Sequence, residues 1–241
     1  DRLVGLKPND WVFESKKPAI VKALVVDPKG VPVAGTQVHL VIEKEDVVTA
    51  KVKGAGNAYL NDNTIEWKET ATCDLKSGKE GEDCTFTPDS AGTYRITAAI
   101  KDTKGRSHSS QQTLWVGGSD YVQWNEGREN GLTILPEKAE YKVGDTARYL
   151  VKNPYPGAYA LVTVERLGVI DHWVQKLAGS TPVIEIPVKP DYTPGFYLSV
   201  VAMSGRFEAP LPDLGQIDLG KPTFRVGYAK TPVVDPYKTM I

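Results

Sequence analysis

Most sequence hallmarks of catalytic and membrane-spanning helical proteins are missing from this 241-residue chain. It has two cysteines, two methionines and three histidines, and the histidines, His39, His108 and His172, are scattered. With no second cysteine pair, a zinc site is disfavoured. No run of about 18 apolar residues is present, which excludes a transmembrane helix. The start Asp1-Arg2-Leu3 has neither the basic nor the apolar region of a signal peptide. The chain is expected to be soluble as given, with any export signal or anchor outside it. The formal net charge is −1, and both halves are balanced in sign, which argues against nucleic acid or an anionic membrane surface as partner. Signatures of chemistry are absent as well: there is no Gly-x-Ser-x-Gly elbow, no Walker-type phosphate loop and no His-Glu-x-x-His helix.

What is present is period-2 alternation in short runs rich in β-branched and aromatic residues, bounded by Gly, Pro, Asn or Asp. In the run 92–101, Tyr94, Ile96, Ala98 and Ile100 fall on one face, with Arg95, Thr97 and Lys101 on the other. One face is core and the other is wet. The same pattern recurs at 19–27, 37–42, 107–116, 146–153, 159–165, 183–187 and 195–202. The stretch 169–177 is short and rich in β-branched and aromatic residues, and is also read as strand. Turns at 28–30 and 104–105 separate strands at a spacing that indicates antiparallel sandwiches. Helix content is expected to be low. The fold class is all-β, as two tandem immunoglobulin-like or fibronectin-III-like sandwiches.

The length suits two modules, and an internal echo makes the same point from residues. The segment 89–98, Asp-Ser-Ala-Gly-Thr-Tyr-Arg-Ile-Thr-Ala, resembles 191–200, Asp-Tyr-Thr-Pro-Gly-Phe-Tyr-Leu-Ser-Val, apart from one extra residue in the turn. Each places a tyrosine, Tyr94 or Tyr197, after a glycine at the start of a late strand. That is the arrangement of a tyrosine corner, in which the ring is buried and the hydroxyl bonds the backbone. We place the modules at 1–118 and 132–241, with a linker at 119–131 rich in Gly, Asn and charge. Tyr121 and Trp124 are out of character for a free linker, so this stretch is expected to pack against a module.

Cys73 and Cys84 stand with ten residues between them in a polar stretch, which suggests one local disulfide and an oxidising compartment. Two free thiols in a flexible loop are the alternative. They lie in an insertion-like region, about 54–83, expected to be a hairpin or long loop. A second irregular region, 207–221, contains two prolines and is expected to be an exposed, extended loop before a last strand near 223–229.

Few residues suggest chemistry. Gly54-Ala55-Gly56-Asn57 lacks the third glycine of a phosphate loop. Asp171 and His172 are neighbours in a strand, so their side chains are expected to point to opposite faces. Glu80, Glu82 and Asp83 lack calcium-loop spacing and read as a solvated acidic loop. Trp11, Trp67, Trp115, Trp124 and Trp173 are read as packing residues; only their gathering on one exposed face would make a carbohydrate platform or an adhesin-type module.

Several phrases in order carry a family resemblance. The run 135–147, Leu-Pro-Glu-Lys-Ala-Glu-Tyr-Lys-Val-Gly-Asp-Thr-Ala, is followed by 160–166, 183–188, 197–200, Asp218-Leu219-Gly220-Lys221-Pro222 and Gly227-Tyr228. From about 130 to 237 the chain resembles the bait-region-domain segment of the bacterial α2-macroglobulins. The first half resembles that family more weakly, through Asp27-Pro28-Lys29-Gly30-Val31-Pro32-Val33 and the Tyr94 strand. The resemblance implies macroglobulin-like domains of a large periplasmic protein, free or membrane-anchored, that inhibits a broad range of endopeptidases. In that family a protease cuts an exposed bait, the molecule rearranges, and a thioester captures the attacker. The thioester requires Cys-x-Glu-Gln. Cys73 is followed by Asp74-Leu75-Lys76 and Cys84 by Thr85-Phe86-Thr87, so neither forms it. The implied role is a non-catalytic scaffold with no cofactor and no metal. Its partners would be neighbouring macroglobulin-like domains of the same polypeptide and, through the whole protein, target proteases. Phe207, Leu211, Leu214 and Lys221 are protease-favoured residues in the exposed loop, which is a bait candidate; the preferred reading of the loop is an ordinary connection between strands, with the family's bait then beginning beyond Ile241.

Overall fold

The computed structural model describes residues 1–53, 59–118, 122, 124, 131–155, 157–206 and 222–235, with backbone alone for 49–53 and 59–63. The chain divides into two compact units, Asp1–Gly118 and Ser119–Ile241. Each has its own core.

The first unit contains eight strands: β1 (Leu3–Pro8), β2 (Val12–Glu14), β3 (Ala19–Val26), β4 (Gln37–Lys53), β5 (Tyr59–Lys76), β6 (Glu82–Phe86), β7 (Gly92–Lys101) and β8 (Ser107–Gly117). They form a three-stranded sheet, β1-β3-β6, and a five-stranded sheet, β2-β8-β7-β4-β5. The second unit contains β9 (Ile134–Pro136), β10 (Tyr141–Lys142), β11 (Thr146–Val151), β12 (Tyr159–Glu165), β13 (Val169–Lys176), β14 (Val183–Pro187), β15 (Gly195–Ser204) and β16 (Thr223–Val234). Its sheets are β14-β11-β9 and β10-β16-β15-β12-β13. Adding eight to each strand number of the first unit reproduces the second. Even the parallel pairing of a short second strand with the last strand recurs, as β2 with β8 and β10 with β16. The sequence echo between 89–98 and 191–200 is thus one visible piece of a whole repeated topology. The single 3-10 turn among the described residues, Pro190–Tyr192, precedes β15.

Alternation explains why these segments are strands. In β3, Ala19, Val21, Ala23 and Val25 are buried while the intervening residues are partly exposed. β7 turns Tyr94, Ile96, Ala98 and Ile100 inward to meet them. In the second unit Ala160, Val162 and Val164 of β12 face Tyr149 and Val151 of β11 within one cluster. Burying a large aliphatic side chain contributes roughly 1.5–3 kcal/mol, so each core is sufficient reason for its two sheets to stack.

Of the two forms expected for the insertion-like region at about 54–83, a hairpin or a long loop, the described residues show the hairpin, with β5 filling most of it. β4 and β5 pair without interruption from Gln37↔Lys76 to Lys53↔Tyr59, apart from a bulge at Ile42/Glu43 where Thr70 donates its hydroxyl proton to the Ile42 carbonyl. β4 pairs with β7 only as far as Lys44↔Tyr94. From Glu45 onward the hairpin is therefore a two-stranded arm, and its nine residue pairs span roughly 30 Å at strand rise. None of the described side chains of the arm, at 45–48 and 64–67, is buried, so this stretch shows no clean alternation.

Candidate functional site

The two cysteines are joined. Cys73 lies on β5, the edge of the five-stranded sheet, and Cys84 on β6, the edge of the three-stranded sheet, with 5.9 Å between their Cα atoms. The bond closes one open side of the sandwich across the two sheets. Cys84 is buried and Cys73 packs against the same core. Around it, the Ser77 hydroxyl donates to the Val33 carbonyl and accepts the Thr36 N–H, while Lys22 pairs with Asp83 at 2.8 Å. Neither sulfur is a free thiol, so neither serves as a nucleophile.

Tyr94 is fully buried, and its hydroxyl donates to the Ser90 carbonyl four residues upstream at 2.9 Å. Burial in the core raises its pKa. Tyr197 is different: its side chain is 48% exposed, and it is not a corner tyrosine. Phe196 occupies the inward position, against Tyr192 with ring centroids 5.0 Å apart. Asp89 to Tyr94 and Asp191 to Phe196 are equal steps, so the extra residue in the turn moves Tyr197 to the outer face. The hydroxyls buried in this unit belong elsewhere. Tyr149 shares a 2.6 Å hydrogen bond with Thr231, and Tyr141 donates to the Arg148 carbonyl while accepting the Lys138 and Arg148 N–H groups.

The weaker chemical candidates do not converge. The Asp171 carboxylate turns to Lys189, 3.0 Å away, which holds its pKa below the usual range; its other oxygen accepts the His172 backbone N–H. Three of the tryptophans are engaged separately: Trp124 is buried and donates to the Asn153 carbonyl, Trp173 packs on its core, and Trp67 lies under the Arg95 guanidinium at 4.2 Å. Among the described residues no three His, Cys, Asp or Glu side chains are placed to hold a metal ion, and no helix is long and apolar enough to cross a membrane. Tyr121, Gly54–Asn57 and the loop residues Phe207, Leu211, Leu214 and Lys221 lie outside the described residues.

The outer faces of the two five-stranded sheets are the feature that sequence reasoning missed. In the first unit this face is polar. Arg95 clamps Glu43 with two bonds of 2.6 and 2.9 Å, lowering the Glu43 pKa, and His39 meets Asp74 at 2.8 Å. Gln111 donates to Thr97. In the second unit the corresponding face is apolar. Tyr159, Met203 and Phe224 form one row across β12, β15 and β16, each about half exposed. The next row is Val174, Leu161, Val201 and Val226, with Val174 63% exposed. Tyr228, also 63% exposed, continues it along β16. The signal was in the sequence: 159–164 and 196–203 are apolar at nearly every position rather than at alternate ones, which marks a strand covered on both faces.

Comparison with known proteins follows the same division of the chain. Residues 132–240 match the alpha-2-macroglobulin bait region domain. An alpha-2-macroglobulin homolog of Nostoc sp. is 30% identical over 203 residues, 83% of this chain and 10% of the relative. Another, from Deinococcus radiodurans, is 28% identical over 132 residues, 54% of this chain and 12% of the relative. Among solved structures, native alpha-2-macroglobulin of E. coli is 19% identical with a TM-score of 0.43, covering 98% of this chain and 15% of that one. Salmonella alpha-2-macroglobulin reacted with methylamine is 17% identical with a TM-score of 0.41, covering 97% and 15%. This chain spans about a tenth of the length of the curated relatives it matches. Residues 132–240 thus belong to the alpha-2-macroglobulin family.

Proposed function

We propose that this chain supplies two non-catalytic macroglobulin-like modules of a periplasmic protease trap that inhibits a broad range of endopeptidases. The observation that carries the reading is the match of residues 132–240 to the bait region domain, in a chain built as the same eight-stranded sandwich twice. Repeated sandwiches are a means of holding other parts at fixed positions, and both cysteines are consumed by a structural bond. Covalent capture would therefore depend on a thioester elsewhere in the polypeptide. Solved relatives bear on the mechanism by their state: E. coli alpha-2-macroglobulin is described as activated by trypsin and by porcine elastase.

Within the matched region we assign the bait role to 207–221, through Phe207, Leu211, Leu214 and Lys221. Limited proteolysis tests this directly. Chymotrypsin and elastase are each expected to make their first cut inside 207–221, after Phe207 or Leu214 and at small residues respectively, and trypsin at its edge, after Arg206, because Pro222 protects Lys221. First cuts by all three elsewhere, with 207–221 intact, would refute the assignment. The scaffold reading is tested separately on the polypeptide encoded by the whole reading frame. It should contain Cys-x-Glu-Gln beyond this chain and form a denaturant-resistant complex with an added protease.

A further inference from the structure

The apolar outer face of the second unit has no partner in this chain's own sheets. Its two rows, Tyr159–Met203–Phe224 and Val174–Leu161–Val201–Val226, place large side chains where an antiparallel sandwich normally carries polar ones. The same sheet of the first unit shows the ordinary arrangement, with the Arg95–Glu43 ion pair and the His39–Asp74 hydrogen bond. Since the topology is identical, the fold does not require the apolar face.

Area discriminates between occupants. Seven apolar positions, four in one row and three in the other, where Lys176 takes the fourth place, cover roughly 230 Å² at about 4.8 Å between strands and about 6.8 Å between rows. A stable complex between free proteins covers about 800 Å² per partner, so a second copy of this chain held by this face alone would associate weakly. A domain on the same polypeptide is different, because tethering supplies an effective concentration of roughly millimolar. Interfaces between domains of one chain run at about 600–1,500 Å² in total, a range that this patch and a modest polar rim reach. The relatives, about ten times longer than the stretch matched, have such domains to offer.

We infer that the outer face of β12, β13, β15 and β16 is the docking surface for another domain of the same polypeptide, one presenting an apolar patch of its own. This rests on the reading of the chain as part of a longer protease trap, and adds to it which face is engaged.

The experiment is hydroxyl-radical footprinting, read by mass spectrometry, of the 241-residue chain and of the full polypeptide. Met203, Tyr159 and Tyr228 are intrinsically reactive and half-exposed or more, so no substitution is needed. Their oxidation is expected to be at least about fivefold slower in the full polypeptide, as befits a desolvated interface core, while His39 on the polar face of the first unit is unchanged. Equal oxidation of Met203, Tyr159 and Tyr228 in both overturns the proposal, as does protection in the isolated chain that grows with its concentration, which would identify a second copy as the occupant. V201K/V226K, at paired positions of β15 and β16, should abolish the protection in the full polypeptide and leave the exchange pattern of the isolated chain intact. Protection that survives this double substitution also overturns it. If protease trapping persists while the footprints are equal, only the docking proposal falls; if the full polypeptide neither contains further domains nor traps a protease, the functional reading falls with it.

Discussion

The two units share a strand order but differ in how they are held together and in what they show to their surroundings. The first has a cross-sheet disulfide, one corner tyrosine and an outer face pinned by ion pairs. The second has no cysteine, places Tyr141, Tyr149, Tyr192 and Phe196 in its core, and leaves an apolar face outward. One topology therefore tolerates two distributions of stabilising interactions, because the order of strands depends on alternation and connection, and the surface does not enter into it. The first unit resembles a module finished on its own, and the second a module that awaits cover.

The contrast breaks most visibly at Gly227. A Cβ there would lie 2.1 Å from the Leu132 carbonyl oxygen and 3.0 Å from the Ile134 side chain, at the point where the entering chain runs beside β16. Backbone does not yield as a side chain end does, so Gly227→Ala is expected to cost the second unit at least about 3 kcal/mol. Hydrogen exchange resolved by peptide should show the loss in residues 132–234 and not in 1–118. Next comes the disulfide. Cys73→Ser with Cys84→Ser should lower the stability of the first unit by about 3 kcal/mol through the entropy of the opened loop, leaving the second unit untouched in the same assay. A smaller effect is expected from Tyr94→Phe, which strands the Ser90 carbonyl and should cost about 1 kcal/mol, whereas Tyr197→Phe should change the isolated chain's denaturation midpoint hardly at all. A larger effect at Tyr197 than at Tyr94 would reverse the assignment of the corner.

The smallest expected difference is in acid. Asp102, in the turn between β7 and β8, receives the Arg106 guanidinium and the Arg106 and Lys104 N–H groups. These hold its carboxyl well below the usual carboxylate range. A group whose pKa is lower when folded stabilises the fold above its unfolded pKa, near 4, and loses that contribution as pH falls toward the folded value. The first unit should therefore weaken below about pH 4 in a way that Asp102→Asn flattens, as read by its acid unfolding curve.

How much of this was legible in advance depends on whether a residue's environment is set by its neighbours in sequence. The alternation of Gly92–Lys101 follows from one buried face, and the pairing of Cys73 with Cys84 from their spacing, so both were readable. The parity of Tyr197 was not, because one additional turn residue inverts every side chain that follows. A hairpin was expected in this region, but its length beyond Lys44 was not readable, because an arm that pairs with no third strand has no hydrophobic period to display. The apolar outer face was written in the sequence as runs without alternation, yet only the register across β12, β15 and β16 shows that Tyr159, Met203 and Phe224 stand in one row.

The position of the disulfide has a mechanical consequence. Because Cys73 and Cys84 are 11 residues apart in sequence and 5.9 Å apart across the two sheets, a load pulling on the ends of the first unit passes through the sulfur bridge and bypasses the β5–β6 connection. That connection would extend roughly 35 Å if free. In a stretched array of such modules, the oxidised first unit pays out less chain before it comes taut than the second does, so tension reaches its neighbours with less slack.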